Sequence, residues 1–478
     1  MAPRNLIVIV ADTLRDPHEL QNGGPPLMPF LDDFARSGAR FDHLLASSSW
    51  TAPAHVSLLT GVDPWETHFE VPGAARRPPA SESVADKWTK EGGVSAAFSA
   101  NFVVTPVLGT ATGYTRFNPG FPAGTAGKIQ LALQFSGYER LLYWAVDARH
   151  GAQTGAVGRA GAAALTWGGS GFCRTIGAMR SGETMVRSLA RFLRRRPAQG
   201  AKPLHLFFNL VEAHEPYLLG DNGGPPQNRA DLANLPSINL ARLTDALAPH
   251  GSPTRFADVY RSSLVVLDRA LRELIETLRR FGVLENAVVL FLSDHGQSLG
   301  EHGFYGHGYY LFDELVKIPA YLWEFKDGKP LPPTSLPSEW IDQRHLFDFL
   351  ATVTPDGAPV AALEPMEASL ARRGPACSYF EGPRPRPPGG FVFKTPRSEI
   401  YRMLRVQGEG VATMAMSNGL GEEVRAVPTH STDGPAPELN EIAQHILKSI
   451  KAAPVAGSGP QSELDAKVDA RLKSWGYD

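Results

Sequence analysis

The sequence predicts an α/β fold: a large, mostly parallel sheet sandwiched by helices, with a smaller C-terminal α+β subdomain. Three observations carry this. Leu6–Ala11 (LIVIVA), Leu204–Val211 (LHLFFNLV) and Ala287–Leu292 (AVVLFL) are short, continuous apolar runs, the pattern of strands buried on both faces. Helix-period segments separate them, and alternating strands and helices build a parallel sheet covered on both sides. The texture then changes after about residue 375, which divides the chain into a catalytic unit over 1–375 and a C-terminal subdomain with a tail over 376–478.

In chain order, Leu6–Ala11 is the first strand and stops at Asp12-Thr13. Leu27, Phe30, Leu31 and Phe34 lie at helical spacing over 27–37, and Gly38 follows as a C-cap. Residues 52–61 hold a proline, a short helical turn and then Gly61. Ser95–Ser99 is a further strand, ending before Asn101. The Gly- and Ala-rich stretch 120–180 reads as an insertion or lid, 183–196 as a helix and 221–253 as a loop excursion. A long amphipathic helix over 257–281 precedes the third apolar strand. Near the C-terminus, 391–405 and 410–417 read as short strands, 437–451 as a last helix, and 452–478 as linker and polar tail.

Of the 478 residues, 43% are hydrophobic and 20% charged, with a formal net charge of −2. That balance is ordinary for a globular chain and exerts no global pull toward nucleic acid or an anionic membrane. The basic cluster Arg191 and Arg194 to Arg196 falls at a helix C-terminus, where cations suit the dipole. Two cysteines, Cys173 and Cys377, do not form a disulfide framework or a Cys-rich metal site. No leader-like segment precedes the first strand, and no stretch reaches the roughly 18 to 20 apolar residues that span a bilayer. The expectation is a cytoplasmic protein acting on a small-molecule ester, with no nucleic-acid or membrane partner and an open oligomeric state.

The chemistry gathers where the apolar strands end. Asp12 follows the first, Glu212-Ala213-His214 the second and Ser293-Asp294-His295 the third. Polar residues just past the carboxyl ends of parallel strands face the ligand crevice of an open α/β sheet. Two carboxylates and an imidazole, Asp12, Asp294 and His295, suit Zn²⁺ or Mn²⁺ better than a soft metal. Thr51 opens the segment TAPAHVSLLTG (51–61). A hydroxyl there either serves as a plain N-cap with Pro53 in the first turn or faces an anion bound by the free helix N–H groups. His302 and His307 lie in the glycine-rich stretch GEHGFYGHG. His307, between two glycines, belongs to a loop that can approach a ligand closely; His302 either contacts substrate or fixes that loop by hydrogen bonds. His18, His43 and His68 read as structural or surface residues.

Asp12-Thr13-Leu14-Arg15, MPFLDDFARSGARFDH (28–43), TAPAHVSLLTG, His214-Glu215-Pro216-Tyr217, Ser293-Asp294-His295-Gly296, Gly300-Glu301-His302-Gly303 and Gly306-His307-Gly308 occur in this order. Together they resemble the sulfatase-like branch of the alkaline phosphatase superfamily over roughly residues 5 to 350. The resemblance implies an α/β sandwich with its site at the strand C-termini. It places Asp12, Asp294, His295 and Thr51 at metal positions and Thr51 at the nucleophile position. His214 and His307 fall where the family contacts substrate or protonates the leaving group. His55 stands in place of the arginine that follows the sulfatase nucleophile, and Asn101 lies near a position that contacts the bound ester. One divalent ion is implied, zinc or manganese first, calcium or magnesium as alternatives, with a second not excluded.

Two departures set the subtype. Sulfatases carry Cys or Ser at the nucleophile position, which maturation oxidises to formylglycine; here the residue is Thr51. Sulfatases also carry paired aspartates after the first strand, whereas Thr13 follows Asp12 here. Both departures look like the phosphatase, phosphodiesterase and phosphoethanolamine-transferase members. The expectation is therefore a metal-dependent hydrolase of phosphomonoesters or phosphodiesters acting through a covalent Thr51 intermediate. The alternatives are a transferase passing a phosphoryl- or sulfuryl-type group to an alcohol, and a sulfatase with an atypical nucleophile.

Overall fold

The fold was taken from a computed structural model. It describes residues 4–67, 81–119, 182–196, 202–214, 253–357, 362–383 and 400–427, a few positions within these ranges excepted. The expected lid at 120–180, the loop excursion at 221–252, His68, most of the last helix and the tail lie outside the described residues.

Asn5–Ala11 lies at the centre of an eight-stranded sheet. Leu204–Leu210 flanks it on one side and Asn286–Ser293 on the other, both parallel to it. Val94–Ser99 and then Arg116–Pro119 extend the parallel part. Ala320–Lys326 closes the other side antiparallel to Asn286–Ser293 and pairs in turn with Lys329–Pro330 and Ala39–Phe41. The sheet is thus mostly parallel with an antiparallel edge, the expected mixed α/β arrangement.

Alternation along the first strand divides the core. Ile7, Ile9 and Ala11 point to one face, where they join Leu31, Met185, Leu189, Leu264, Leu267 and Leu274 from the helices Pro29–Ala35, Gly182–Arg194 and Pro253–Arg280. Leu6, Val8 and Val10 point to the other, against Leu58, Leu59, Trp88, Leu346 and Met366 from Thr51–Thr60, Val84–Lys90, Gln343–Leu350 and Leu363–Arg373. Side chains alternate across a strand, so a run buried on both faces must be apolar at every position. Each fully buried Leu or Ile contributes about 1.5–3 kcal/mol.

One local expectation is corrected. The helix Pro29–Ala35 ends at Arg36, and Gly38 is not its left-handed cap. A Cβ at Gly38 would overlap the indole of Trp323, whose Nε1–H donates to Phe34 O at 2.9 Å. The glycine is needed for that close approach. Gly61, by contrast, is a left-handed cap with φ 67°, and its N–H donates to Ser57 O at 2.9 Å.

The last described strands, Cys377–Pro383, Ile400–Gly408, Val411–Asn418 and Val424–Val427, form a second, four-stranded antiparallel sheet. Several hydrogen bonds tie it to the rest of the chain. Tyr379 N–H donates to Ser47 O at 2.8 Å and the Ser378 hydroxyl to Ala46 O at 2.5 Å, which fixes the approach to Thr51. Arg405, wholly buried, donates to Leu311 O at 3.0 Å and pairs with Asp313 at 2.5 Å. Among the described residues, no helix is long and apolar enough to cross a membrane.

Candidate active site

Register places the site. Ala11 is opposite both Leu210 and Ser293, so three parallel strands end level and their next residues emerge on one edge. Asp12, Asp294 and His295, all buried, bring one ligand atom each within 4.8 Å of one another.

The backbone turn at Thr13 (φ 60°) aims its N–H at Asp294 Oδ1, 3.0 Å away, and His295 N–H donates to the same oxygen at 2.9 Å. Asp294 Oδ2 and Asp12 Oδ1 are left without hydrogen-bond partners. Asp12 Oδ2 is held by Asn101 Nδ2 at 2.6 Å. Two buried, unpartnered carboxylate oxygens demand a cation or protons, since isolated buried charge is strongly unfavourable. Burial and the neighbouring Asp12 push Asp294 well above the ordinary carboxylate range. For Asp12, burial acts upward, but His214, His295, His55 and the Asn101 hydrogen bond outweigh it and hold the carboxyl below its usual value. The two carboxylates together resist double ionisation, a conflict that a divalent cation relieves. The donor set therefore fits one hard or borderline ion.

His295 completes the set. Its Nδ1–H donates to Gly296 O at 2.9 Å, so Nε2 carries the lone pair. Burial pushes this imidazole down to about 4, against the opposing pull of Asp12. The Thr51 hydroxyl donates to that Nε2 at 3.1 Å.

Thr51 is the first residue of the helix Thr51–Thr60, after extended Trp50 (φ −140°, ψ 146°), and no side chain caps the helix. The plain N-cap alternative is thereby corrected: the hydroxyl is directed at His295, not back to its own helix. Pro53 occupies the first turn, where a missing N–H removes no helical bond. All ten helix residues are buried, so packing holds the hydroxyl rigidly at the strand ends.

The other histidines divide by depth. His55, one turn beyond Thr51, lies under the site: Nδ1–H donates to Thr51 O at 2.8 Å, with Asp294 Oδ2 3.6 Å away. His214 and His307 meet edge to face with centroids 4.9 Å apart, and His307 lies 4.6 Å from His295. His307 Nδ1–H donates to Gln297 Oε1 at 2.8 Å. Burial, with His295 and His214 adding, holds His307 well below its ordinary value. His302 is further out. Its ring lies tilted against Phe312 with centroids 4.4 Å apart, and Nε2 is 3.7 Å from Glu314. Asn101 is occupied at both ends, since Oδ1 accepts Val103 N–H at 2.8 Å while Nδ2 holds Asp12. His18 and His43 sit at the surface against Asp16 and Ser338.

Several supporting residues escaped sequence reasoning. Gln343 bridges Ser47 N–H and Asp294 O, both at 2.8 Å. Arg15 pairs with Glu301 at 2.6 Å and reaches Gln297 O. Asn209 donates to His55 Nε2 at 3.3 Å. Asn209 left a signal, as an amide in a buried strand that is apolar but for it and His205. Gln343 and Arg15 act through long-range contacts that no local pattern records.

Comparison with known proteins gives the fold and the family. The chain is 28% identical over 118 residues to mouse iduronate 2-sulfatase, covering 22% of this chain and 21% of that one. It is 27% identical over 108 residues to the N-acetylglucosamine-6-O-sulfatase of Bacteroides thetaiotaomicron, covering 22% and 19%. The aligned stretches thus span about a fifth of these relatives' lengths. Among solved structures, the phosphonate monoester hydrolase of Agrobacterium radiobacter shares the fold with a TM-score of 0.54 at 14% identity, over 99% of this chain and 95% of that one. A putative sulfatase from Bacteroides thetaiotaomicron does so with 0.52 at 12% identity, over 99% and 92%. The sulfatase family matches residues 4–353, a span holding the whole large sheet and every polar residue at its carboxyl edge, and the chain belongs to that family.

Proposed function

We propose that this protein is a metal-dependent hydrolase of phosphate-like esters, phosphomonoesters or phosphodiesters, that uses Thr51 as a covalent nucleophile. The carrying observation is the Thr51 hydroxyl, 3.1 Å from His295 Nε2 beside two carboxylates with unpartnered oxygens. Threonine occupies the position where sulfatases need a residue that can become formylglycine, and its unconverted hydroxyl is available for direct attack on phosphorus. Family membership supports hydrolysis of sulfate or phosphate esters as the general class.

Asp12, Asp294, His295 and Thr51 would hold the ion, with zinc or manganese matching this donor set best. A bound divalent cation lowers the pKa of a coordinated hydroxyl and polarises a phosphoryl oxygen. The Thr51 oxygen attacks phosphorus in line as its proton passes to solvent. The Thr51–phosphorus bond forms, the bond to the leaving alkoxide breaks, and the alkoxide takes a proton from the His214–His307 pair. Burial first, with His295 and His214 adding, disfavours a proton on His307. An ester's negative charge works against that and favours a proton on His307. Water then attacks the phosphothreonine and loses its proton to the same pair; the phosphorus–Thr51 bond breaks, and the Thr51 oxygen regains from solvent the proton it gave up in the first step. N–H groups at the start of the Thr51–Thr60 helix face the developing charge.

The test is turnover of an aryl phosphate monoester, an aryl phosphate diester and an aryl sulfate by the zinc- and manganese-loaded protein, with and without an added alcohol. Phosphoester hydrolysis and a phosphate trapped on Thr51 support the reading. Aryl sulfate turnover alone would replace it with a sulfatase of atypical nucleophile, and a phosphorylated alcohol as main product would make the protein a transferase.

A further inference from the structure

We propose that Trp50 is a specificity-determining residue whose indole receives an aromatic leaving group, so that the esters taken by the site are those of phenols and other aromatic alcohols; this rests on the ester-binding site proposed above and deepens it. Trp50 immediately precedes Thr51, is extended (φ −140°, ψ 146°) and holds the N-cap position of the helix Thr51–Thr60. That position favours Ser, Thr, Asp or Asn, whose side-chain oxygens satisfy first-turn N–H groups. Trp50 supplies no such hydrogen bond, so a tryptophan here gives up the stabilisation of a cap. Burial does not fully recover it: Trp50 stays half-buried, whereas all ten residues of the helix behind it are buried.

The indole lies between two parts of the site. Together with half-buried Val103 it packs against the small buried cluster Ala52, Val56 and Val62. Val103 is itself tied to the site, since its N–H donates to Asn101 Oδ1 at 2.8 Å and Asn101 Nδ2 holds Asp12. Gly308, the residue after His307, also meets the indole. A Cβ built on it would stand 3.5 Å from Trp50 Cδ1 and 3.9 Å from Trp50 Cβ, ordinary van der Waals range. With φ 79° at Gly308, a conformation that glycine adopts freely, the loop passes the ring as bare backbone. Trp50 thus joins the nucleophile to the loop that carries His307.

Depth and neighbours give the ligand chemistry. Asp12, Thr51, Asp294 and His295 form a buried floor, whereas Trp50, His214 and His307 are half-buried. In-line displacement sends the leaving oxygen away from Thr51, off the floor and toward these half-buried side chains. His214 and His307 serve that oxygen, and Trp50 meets the group attached to it. Val103, Ala52, Val56, Val62 and the bare Gly308 give the indole a hydrocarbon setting. A flat aromatic ring stacks on an indole or meets its edge without polar partners, whereas a sugar would bring hydroxyls that lose their hydrogen bonds to water against such a wall.

The experiment is isothermal titration calorimetry of the zinc-loaded full chain with benzylphosphonate and ethylphosphonate. In both probes a methylene replaces the bridging ester oxygen, so neither is turned over, and they differ in the aromatic ring. The unaltered protein should bind benzylphosphonate about 10-fold more tightly, the scale of an aromatic pair. Trp50→Ala should weaken benzylphosphonate binding about 10-fold more than ethylphosphonate binding. Should the alanine variant not fold, Trp50→Phe should keep the preference and Trp50→Leu, apolar but without a ring, should lose it. Equal affinities for the two probes in the unaltered protein overturn the proposal, as does an equal loss for both in the variants, which is what a merely structural role would give. Binding of neither probe by the zinc-loaded protein is a different result: it removes the ester-binding site itself, and the proposal with it.

Discussion

The hydroxyl of Thr51 and Nε2 of His295 lie 3.1 Å apart although 244 residues of chain separate them. Two independent constraints produce this contact. Strand register delivers His295 to the edge of the sheet, and a helix packed on the opposite side of the first strand delivers Thr51.

Thr51→Ala should lower phosphoester turnover by on the order of 10⁴-fold or more, the scale of losing a nucleophile. Thr51→Ser keeps the hydroxyl and should retain a large part of the rate. Initial rates with an aryl phosphate, together with a search for phosphate on residue 51 by mass spectrometry, check both. Near-normal turnover by the alanine variant would remove Thr51 from the mechanism.

Asp294→Asn should have opposite effects on metal binding and on the metal-free fold. Burial and the charge of Asp12 work against an ionised Asp294, so the neutral amide should raise the melting temperature of chelator-treated protein. The same change removes one anionic ligand and should strip most of the added melting-temperature gain on zinc addition. Calorimetry with and without zinc decides it, and a variant stabilised by zinc as strongly as the parent would place the ion elsewhere.

Gly296→Ala should damage the site from behind. A Cβ there would overlap the Glu314 carbonyl, and the surrounding backbone is tied by Gly296 N–H to Leu315 O at 2.8 Å and Gln297 N–H to Glu314 O at 3.0 Å. Backbone cannot yield as a side chain can, so His295 and the Gln297 that holds His307 should both shift. Loss of zinc affinity alongside a lowered melting temperature is expected. Full zinc affinity would show that this close approach is not needed.

Acid sensitivity should originate in part at Asp342, at the junction with the C-terminal sheet. Burial pushes its carboxyl upward, but Arg344 first and His345 next outweigh it and hold the group well below the usual carboxylate range. Cys377 N–H also donates to it at 2.9 Å, and Arg344 spans to Asp63 at 2.8 Å. A depressed folded value means that the stabilisation is present above the unfolded pKa of about 3.9 and is lost as pH falls below it. Asp342→Asn, which leaves Arg344 partly unpaired, should cost about 3–5 kcal/mol near neutrality and flatten the dependence of stability on pH below about 4. Denaturant melts between pH 3 and 7 measure this; parallel pH profiles for parent and variant would exclude Asp342 as the acid-labile group.

How much of this was legible in the sequence depends on the range of the interaction. The three strands were readable because burial on both faces favours apolar residues throughout Leu6–Ala11 and Ala287–Leu292, and in Leu204–Leu210 at all positions but His205 and Asn209. The candidate ligands Asp12, Asp294 and His295 were readable because they interrupt those runs at their carboxyl ends. Gly38 was misread because a glycine after a helix suggests a cap, whereas its need comes from Trp323, 285 residues away in sequence. The antiparallel edge formed by Ala320–Lys326 was not specified either, since strand direction is set by pairing and not by composition.

By itself the sequence determined the α/β class, the strands whose ends carry polar residues, and the replacement of a cysteine or serine by Thr51 in a sulfatase-like motif. Those are local properties, written in periodicity and residue type. Only the tertiary structure decided that Thr51 opens its helix without capping it, that His55 lies beneath the site against Asn209, that Asn101 is spent on Asp12, and that His302 lies against Phe312 and Glu314. Each of these depends on which side chains meet across the core, and such meetings are fixed by register and close packing between segments far apart in the chain.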